Sequence, residues 1–306
     1  MNTPNQRDPR VAPGNPQVSA SMSRDLLKFL GIAVLIVFVI LNWSTFLAVF
    51  GNILLWIYSL LASVPGAFGW AIILFTVLIR LATWPLNAKQ MQSMKALQDL
   101  QSSKEWKAMQ KKYEKEPEKK QTEQLRLQNE AGISPFGGCL PLLIQMPILI
   151  AVYQSVSRAL ALTPLSLLQL THTINTSFLD ASRIIPLKST FLWFDLGRPE
   201  GIPLPFEISW LPYGFPLLAI IVGLTTYVQT KLTTPNNPDP NDQTAAMSRS
   251  MSLTMPLMLG FFALSFPSGV AIYILTGNLI AIFQSALMGR VNWRNLLPGG
   301  ASPATR

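Results

Sequence analysis

A single arginine, Arg80, stands inside the apolar run WAIILFTVLIRLATWP of residues 70–85. Its guanidinium is a permanent cation with a planar fork of donors suited to a carboxylate or phosphate. At the centre of a membrane-spanning helix an arginine costs roughly 2.5 to 3.5 kcal/mol, so it is expected to face protein, water or an anionic ligand rather than lipid. Trp84 and Pro85 follow closely, and a second reading has the side chain extending about one turn to the membrane surface. Other apolar runs contain Gln145, Thr225, Thr226, Gln229, Asn278 and Gln284. These amides and hydroxyls supply polar groups to runs that otherwise bury only apolar ones, and could gather with Arg80 in one polar cavity. Taken singly, each serves equally well as a hydrogen bond between neighbouring membrane helices.

Nothing in this set suggests covalent chemistry, and no catalytic residue is assigned. One histidine and one cysteine, His172 and Cys139, are too few for a zinc or transition-metal cluster or an internal disulfide. The motifs GxxxxGK(S/T), GxSxG, GxGxxG and HExxH do not occur, so no common nucleotide, hydrolase or zinc-protease signal is present and no cofactor is expected.

The segments that position these residues read as membrane spans. Of the 306 residues, 49% are hydrophobic and 13% charged, with mean hydropathy +0.33, and the apolar residues fall in runs long enough to cross a bilayer. The net charge of +9 is distributed as a topology signal. Residues 1–25 read as a disordered cytoplasmic tail, 26–50 as an N-terminal transmembrane anchor or signal, and 51–65 as an amphipathic helix on the outer interface. A first core span covers 66–86. Residues 87–134, where Lys and Arg outnumber Asp and Glu, form a cytoplasmic helical hairpin. Apolar residues at Met91, Met94, Leu97 and Leu100 recur at helical spacing, and the turn falls near Glu116 and Pro117. Core spans at 135–160, 213–232, 250–266 and 269–289 follow, separated by an outer loop at 161–212 and a cytoplasmic loop at 233–249; residues 290–306 form a cytoplasmic tail.

The run GISPFGGCLPLLIQMP of residues 132–147 resembles the signature that opens the second core span of the YidC/Oxa/Alb membrane protein insertases. Arg80 with a Lys/Met/Gln-rich hairpin after it, LMLGFFALSFPSG at 257–269, and Tyr273 with Asn278 and Gln284 match in the same order. Together they cover about residues 50 to 290. There are departures: Ser134-Pro135 stands where Asn-Pro is common, and Asp99 stands where a proline often follows the first Leu-Gln of the hairpin. The resemblance implies an all-α polytopic membrane protein: a five-helix insertase core bundle plus one N-terminal helix and the cytoplasmic hairpin. It implies a hydrophilic groove open to the cytoplasm and to lipid, with Arg80 as its cation. It also implies nascent membrane proteins and the lipid bilayer as partners, with the Sec translocon as a candidate. The basic hairpin makes a ribosome a further candidate, and the tail lacks the Arg/Ser-rich amphipathic helix of a transit peptide, so a bacterial plasma membrane is the expected location. Two other classes compete. A small-anion secondary transporter would use Arg80 to bind its solute, although all 15 Asp and Glu lie outside the assigned spans and no internal repeat is visible. A structural assembly scaffold would explain the hairpin and leave Arg80 without a role.

Overall fold

The computed structural model describes residues 31, 34, 37–114, 116–133, 140–160, 187–202, 214–233 and 243–289. Helix α1 spans Trp43–Leu60, α2 Ala67–Ala82 and α3 Trp84–Ser102. Next come α4 (Lys104–Lys112), α5 (Pro117–Glu130) and α6 (Leu140–Ala159). A short ribbon pairs β1 (Thr190–Phe191) with β2 (Phe194–Asp195) antiparallel. The last helices are α7 (Leu217–Thr233), α8 (Gln243–Ala263) and α9 (Ser268–Leu287). Helix α9 packs on α7, α2 and α6, while α1 closes against α2 and α6, and α8 is held chiefly through α7. The core runs through Leu54, Phe68, Ile72, Val152, Val156, Val222 and Val270, all fully buried.

One boundary differs from the sequence expectation. A break between an anchor at 26–50 and an interfacial helix at 51–65 is not observed, because α1 runs unbroken through Phe50, Gly51 and Asn52. The Asn52 amide donates to Ala48 O at 2.8 Å, so that side chain is satisfied inside the helix. Phe46 meets Phe50 at a tilt, 4.5 Å between ring centroids, and Phe50 meets Phe75 edge-on at 5.7 Å, which rewards continuation into the bundle. The interruption comes earlier, at Asn42, whose amide bonds Phe38 O. Residues 1–30, the expected tail and the first part of the expected anchor, lie outside the described residues.

Among the described residues, α1 and α9 are long and apolar enough to cross a bilayer, and α2 with α3 qualifies as one bent span. The apolar helices Leu217–Leu232 and Leu253–Ala263 are shorter, a length compatible with a locally thinned bilayer. The 59° bend between α2 and α3 falls at Thr83, before Pro85 at the start of α3, where a missing N–H is tolerated. Helix α3 then leaves the bundle for the charged segment. Lys104–Lys112 packs on Pro117–Glu130 there, with the chain turning between Tyr113 and Glu116. On α5 the guanidinium of Arg126 bonds Glu130 at 2.8 Å and Glu123 at 2.9 Å. These carboxylates raise its already high pKa and keep it charged.

The ribbon was not anticipated within the outer loop; the remainder of 161–212, apart from 187–202, lies outside the described residues. It closes one end of the bundle, here called the ribbon end. Phe191 is buried over Gly66 and Gly69, two positions without a Cβ to hinder the ring. Leu196 O accepts from Gly269 N at 3.0 Å and Arg198 O from Ser268 N at 2.9 Å, satisfying the open N–H groups at the start of α9. Buried Glu200 does the same for α7 by accepting from Leu218 N at 2.9 Å. A Cβ on Gly69 would fall on the Phe191 ring, so Gly69→Ala is expected to cost about 1 to 3 kcal/mol by overpacking. Thermal unfolding in detergent should show that loss in the native background and little of it beside Phe191→Ala. Equal losses in both backgrounds would separate Gly69 from the ring.

Candidate functional site

Arg80 lies in the last turn of α2, where the partial negative charge of the helix C-terminus favours a cation by about 0.3 to 1 kcal/mol. Helical side chains lean toward the N-terminus of their own helix, which here carries the guanidinium back into the bundle. It rests on Gly277 of α9: a Cβ there would stand 2.7 Å from Nη2 and 3.3 Å from Nε. Gly277 is in the middle of α9 (Ser268–Leu287), about 14 Å from either end at 1.5 Å per residue. The charged group is therefore level with the centre of a membrane-length helix. That geometry disfavours the surface-reaching alternative, in which the side chain would run toward Trp84.

The sequence-predicted polar residues divide into two groups. In the first, Gln145 Nε2 donates to Tyr273 Oη at 3.1 Å, and Tyr273 is the electrostatic neighbour of Arg80. Gln284, almost fully buried, directs its amide to Arg80 O at 3.4 Å. Tyr273, Gly277 and Gln284 stand four and seven residues apart on one stripe of α9, the spacing of a single helix face. Thr76, one turn before Arg80, is buried and bonds Ile72 O at 2.7 Å. Among the described residues no carboxylate pairs with Arg80, and no trio of His, Cys, Asp or Glu is placed to hold a metal. His172 and Cys139 lie outside the described residues.

The second group is a clasp between α7 and α9. Asn278 Nδ2 donates to Thr226 Oγ1 at 2.7 Å, with Thr225 Oγ1 at 3.3 Å. The two hydroxyls donate in turn to Val222 O and Ile221 O. Asn278 and Thr226 are buried, so these residues join helices. For them the structure favours the helix-to-helix reading over the groove-lining one. Gln229 is half-buried one turn further along α7. Two members of the Arg80 group were not assigned to the site from the sequence: Gly277, and Tyr273, which entered only as part of the resemblance. The spacing 273, 277, 284 was the available signal.

A helical membrane bundle with an arginine at mid-depth, beside the phenol of Tyr273 and the Gln145 amide bonded to it, is the class defined by this geometry. Residues 60–294 match the family described as 60Kd inner membrane protein. Membrane protein insertase YidC of Oceanobacillus iheyensis is 34% identical over 241 residues, covering 76% of this chain and 79% of that protein. Membrane protein insertase MisCA of Bacillus subtilis is 36% identical over 228 residues, covering 72% of this chain and 70% of its own. A solved structure described as an active YidC insertase with its first transmembrane domain resolved is 29% identical, with TM-score 0.47, covering 77% of this chain and 44% of that one. The chain belongs to the YidC/Oxa/Alb family of membrane protein insertases.

The clasp supplies a test of the division. In a double-mutant cycle, Asn278→Ala and Thr226→Ala should couple by about 0.6 kcal/mol and at most about 1.7, the range for interhelical hydrogen bonds in membranes. Asn278→Ala and Arg80→Met should be additive. Coupling of Asn278 to Arg80 as strong as that to Thr226 would merge the two groups.

Proposed function

We propose that this chain inserts newly made proteins into the bilayer by receiving their acidic tails or loops at Arg80, without nucleotide hydrolysis. The observation that carries the reading is the guanidinium against Gly277 at mid-depth, with no acidic partner among the described residues. A half-buried cation without a counter-ion is costly, and an incoming carboxylate supplies what is missing. At about 4 Å and an effective dielectric near 20, the pair gains roughly 4 kcal/mol, comparable with the roughly 2.5 to 3.5 kcal/mol cost of one acidic residue at membrane centre. Partition of the following apolar helix into lipid, at about 0.8 kcal/mol per buried CH₂, then drives the segment onward. The membrane potential adds about 2.3 kcal/mol per charge per 100 mV.

In this reading Gln145, Tyr273 and Gln284 border the groove that admits the tail, with Gln229 at its α7 side. Thr225, Thr226 and Asn278 hold the adjoining helix pair. The Lys-rich segment α3–α5 is cytoplasmic by the positive-inside rule, placing the ribbon end outside. The same basic surface is where a ribosome would dock, beside a Sec translocon where one cooperates. The location is a bacterial plasma membrane.

Reconstitution in liposomes with a small single-span client bearing an acidic translocated tail tests the proposal. Integration is expected without nucleotide. Arg80→Ala should slow it about tenfold, the factor corresponding to 1.4 kcal/mol, while Arg80→Lys retains much of the rate. Gly277→Val, which takes the space of the guanidinium, should fall with Arg80→Ala, and the double variant should be no slower than either. Equal rates for Arg80→Ala and the native chain across acidic-tailed clients would remove Arg80 from the mechanism. Uptake of a labelled small anion without client integration would favour a transporter.

A further inference from the structure

The ribbon presents an apolar turn that the bundle itself does not use. Leu192 and Trp193, between β1 and β2, are 70% and 66% exposed. Leu192 has φ +54, in the left-handed region that side chains with a Cβ disfavour and that two-residue hairpins usually fill with Asn, Asp or Gly. Local stability would select a small polar residue there. A strained leucine beside an open tryptophan is the opposite choice, one that a partner covering both side chains would offset.

The turn is also held at a fixed place. Phe191 is buried over Gly66 and Gly69, and Leu196 O and Arg198 O are tied to the start of α9. An aromatic ladder connects it to the bundle wall. Trp193 meets Phe194 at 5.5 Å, Phe194 meets Phe191 at 6.0 Å, and Phe191 meets Trp70 at 5.7 Å. Trp70 heads the exposed stripe Trp70, Leu74, Leu78 and Leu81 on α2, the face such a helix turns toward lipid. The ladder thus extends a lipid-facing surface up to the turn. Lys188 and Arg198 flank the ribbon and are exposed. The nearby acids are engaged elsewhere: Asp195 accepts from Gly197 N and Glu200 from Leu218 N.

We infer that the Leu192–Trp193 turn is a lipid anchor: it enters the leaflet at the ribbon end down to the boundary of headgroups and acyl chains. Tryptophan favours that level, and the exposed Lys188 and Arg198 behind it meet lipid phosphates. Because the same ribbon holds the start of α9, its insertion fixes the depth of Gly277 and of the guanidinium lying on it. The anchor rests on the membrane reading of the bundle and not on the use of Arg80 for clients.

The test uses the full chain with Cys139→Ser, reconstituted in phosphatidylethanolamine/phosphatidylglycerol liposomes. An environment-sensitive fluorophore is attached at Leu192→Cys, at Trp193→Cys in a second variant, and at exposed Lys119→Cys on the hairpin as a reference. Blue-shifted emission is expected at both turn positions. It should be quenched by lipids carrying a nitroxide at the headgroup or the upper acyl chain, and shielded from aqueous iodide, unlike the reference. Iodide quenching of both turn labels equal to that at Lys119→Cys would overturn the anchor. So would shielding from iodide with no quenching by nitroxide lipids, the outcome if another protein surface or a second copy covers the turn. No readout depends on client insertion, so this proposal and the insertase mechanism fail independently.

Discussion

A cation at the middle of a membrane-length bundle, with no acidic partner among the described residues, is the constraint on which the rest of the structure depends. Arg80 reaches that depth through the conjunction of three features: a position in the last turn of α2, a side chain leaning back along its helix, and the absence of a Cβ at Gly277. Moving the arginine one turn earlier would bury its head among Phe68, Ile72 and Phe75, which are almost wholly occluded. One turn later, beyond the bend at Thr83, it would leave the bundle with α3. The helix C-terminus supplies a modest favourable field, and Gln284 and Thr83 take the carbonyls of Arg80 and Ile79, so the final turn keeps its partners despite the bend.

The remaining elements fix the positions of α2 and α9 relative to each other. At the ribbon end the backbone carbonyls of 196 and 198 and the ring of Phe191 join the starts of both helices. Further along, Asn278 joins α9 to α7. Helix α7 meets α8 at Gly223 and Gly260, whose Cα atoms approach so closely that a Cβ on Gly260 would lie 3.4 Å from its neighbour. This close crossing makes α7 and α8 a unit, joined to α9 chiefly through α7. Where the ribbon end is stitched by backbone hydrogen bonds, the described interhelical contacts near Arg80 start from side chains, the amide of Gln284 on Arg80 O and that of Gln145 on Tyr273.

Much of this was legible in the residues, and the failures have physical causes. The apolar runs and the order of motifs indicated a helical membrane bundle with Arg80 central, because burial of apolar helices and the cost of an intramembrane charge are local properties of sequence. The grouping of Asn278 with Gln284 was less sound. They are six residues apart, about 240° round a helix, and face different neighbours, whereas Tyr273, Gly277 and Gln284 share a stripe. Gly277 carried no chemical signal of its own; its importance lies in an atom it lacks. The break assigned near residue 51 followed from charge parity, since an interfacial helix there keeps the Lys-rich hairpin cytoplasmic; the structure instead carries α1 through Asn52, whose amide its own helix satisfies. The ribbon escaped notice because two-residue strands leave almost no periodicity to read.

The character of the groups round Arg80 follows from how Coulomb attraction varies with polarity. At about 4 Å a carboxylate gains about 1 kcal/mol from a guanidinium in bulk water and roughly 4 kcal/mol at an effective dielectric near 20. A fully aqueous channel would make the arginine nearly irrelevant, while a dry core would impose a desolvation cost on the incoming acid exceeding what the pair returns. An intermediate setting is required. Gln145, Tyr273 and Gln284 furnish neutral dipoles that raise the local polarity without cancelling the charge. A glutamate at any of these positions would neutralise Arg80 from within and leave an arriving tail nothing to meet. The neutrality of that ring is therefore as much a requirement of the proposed mechanism as the cation itself.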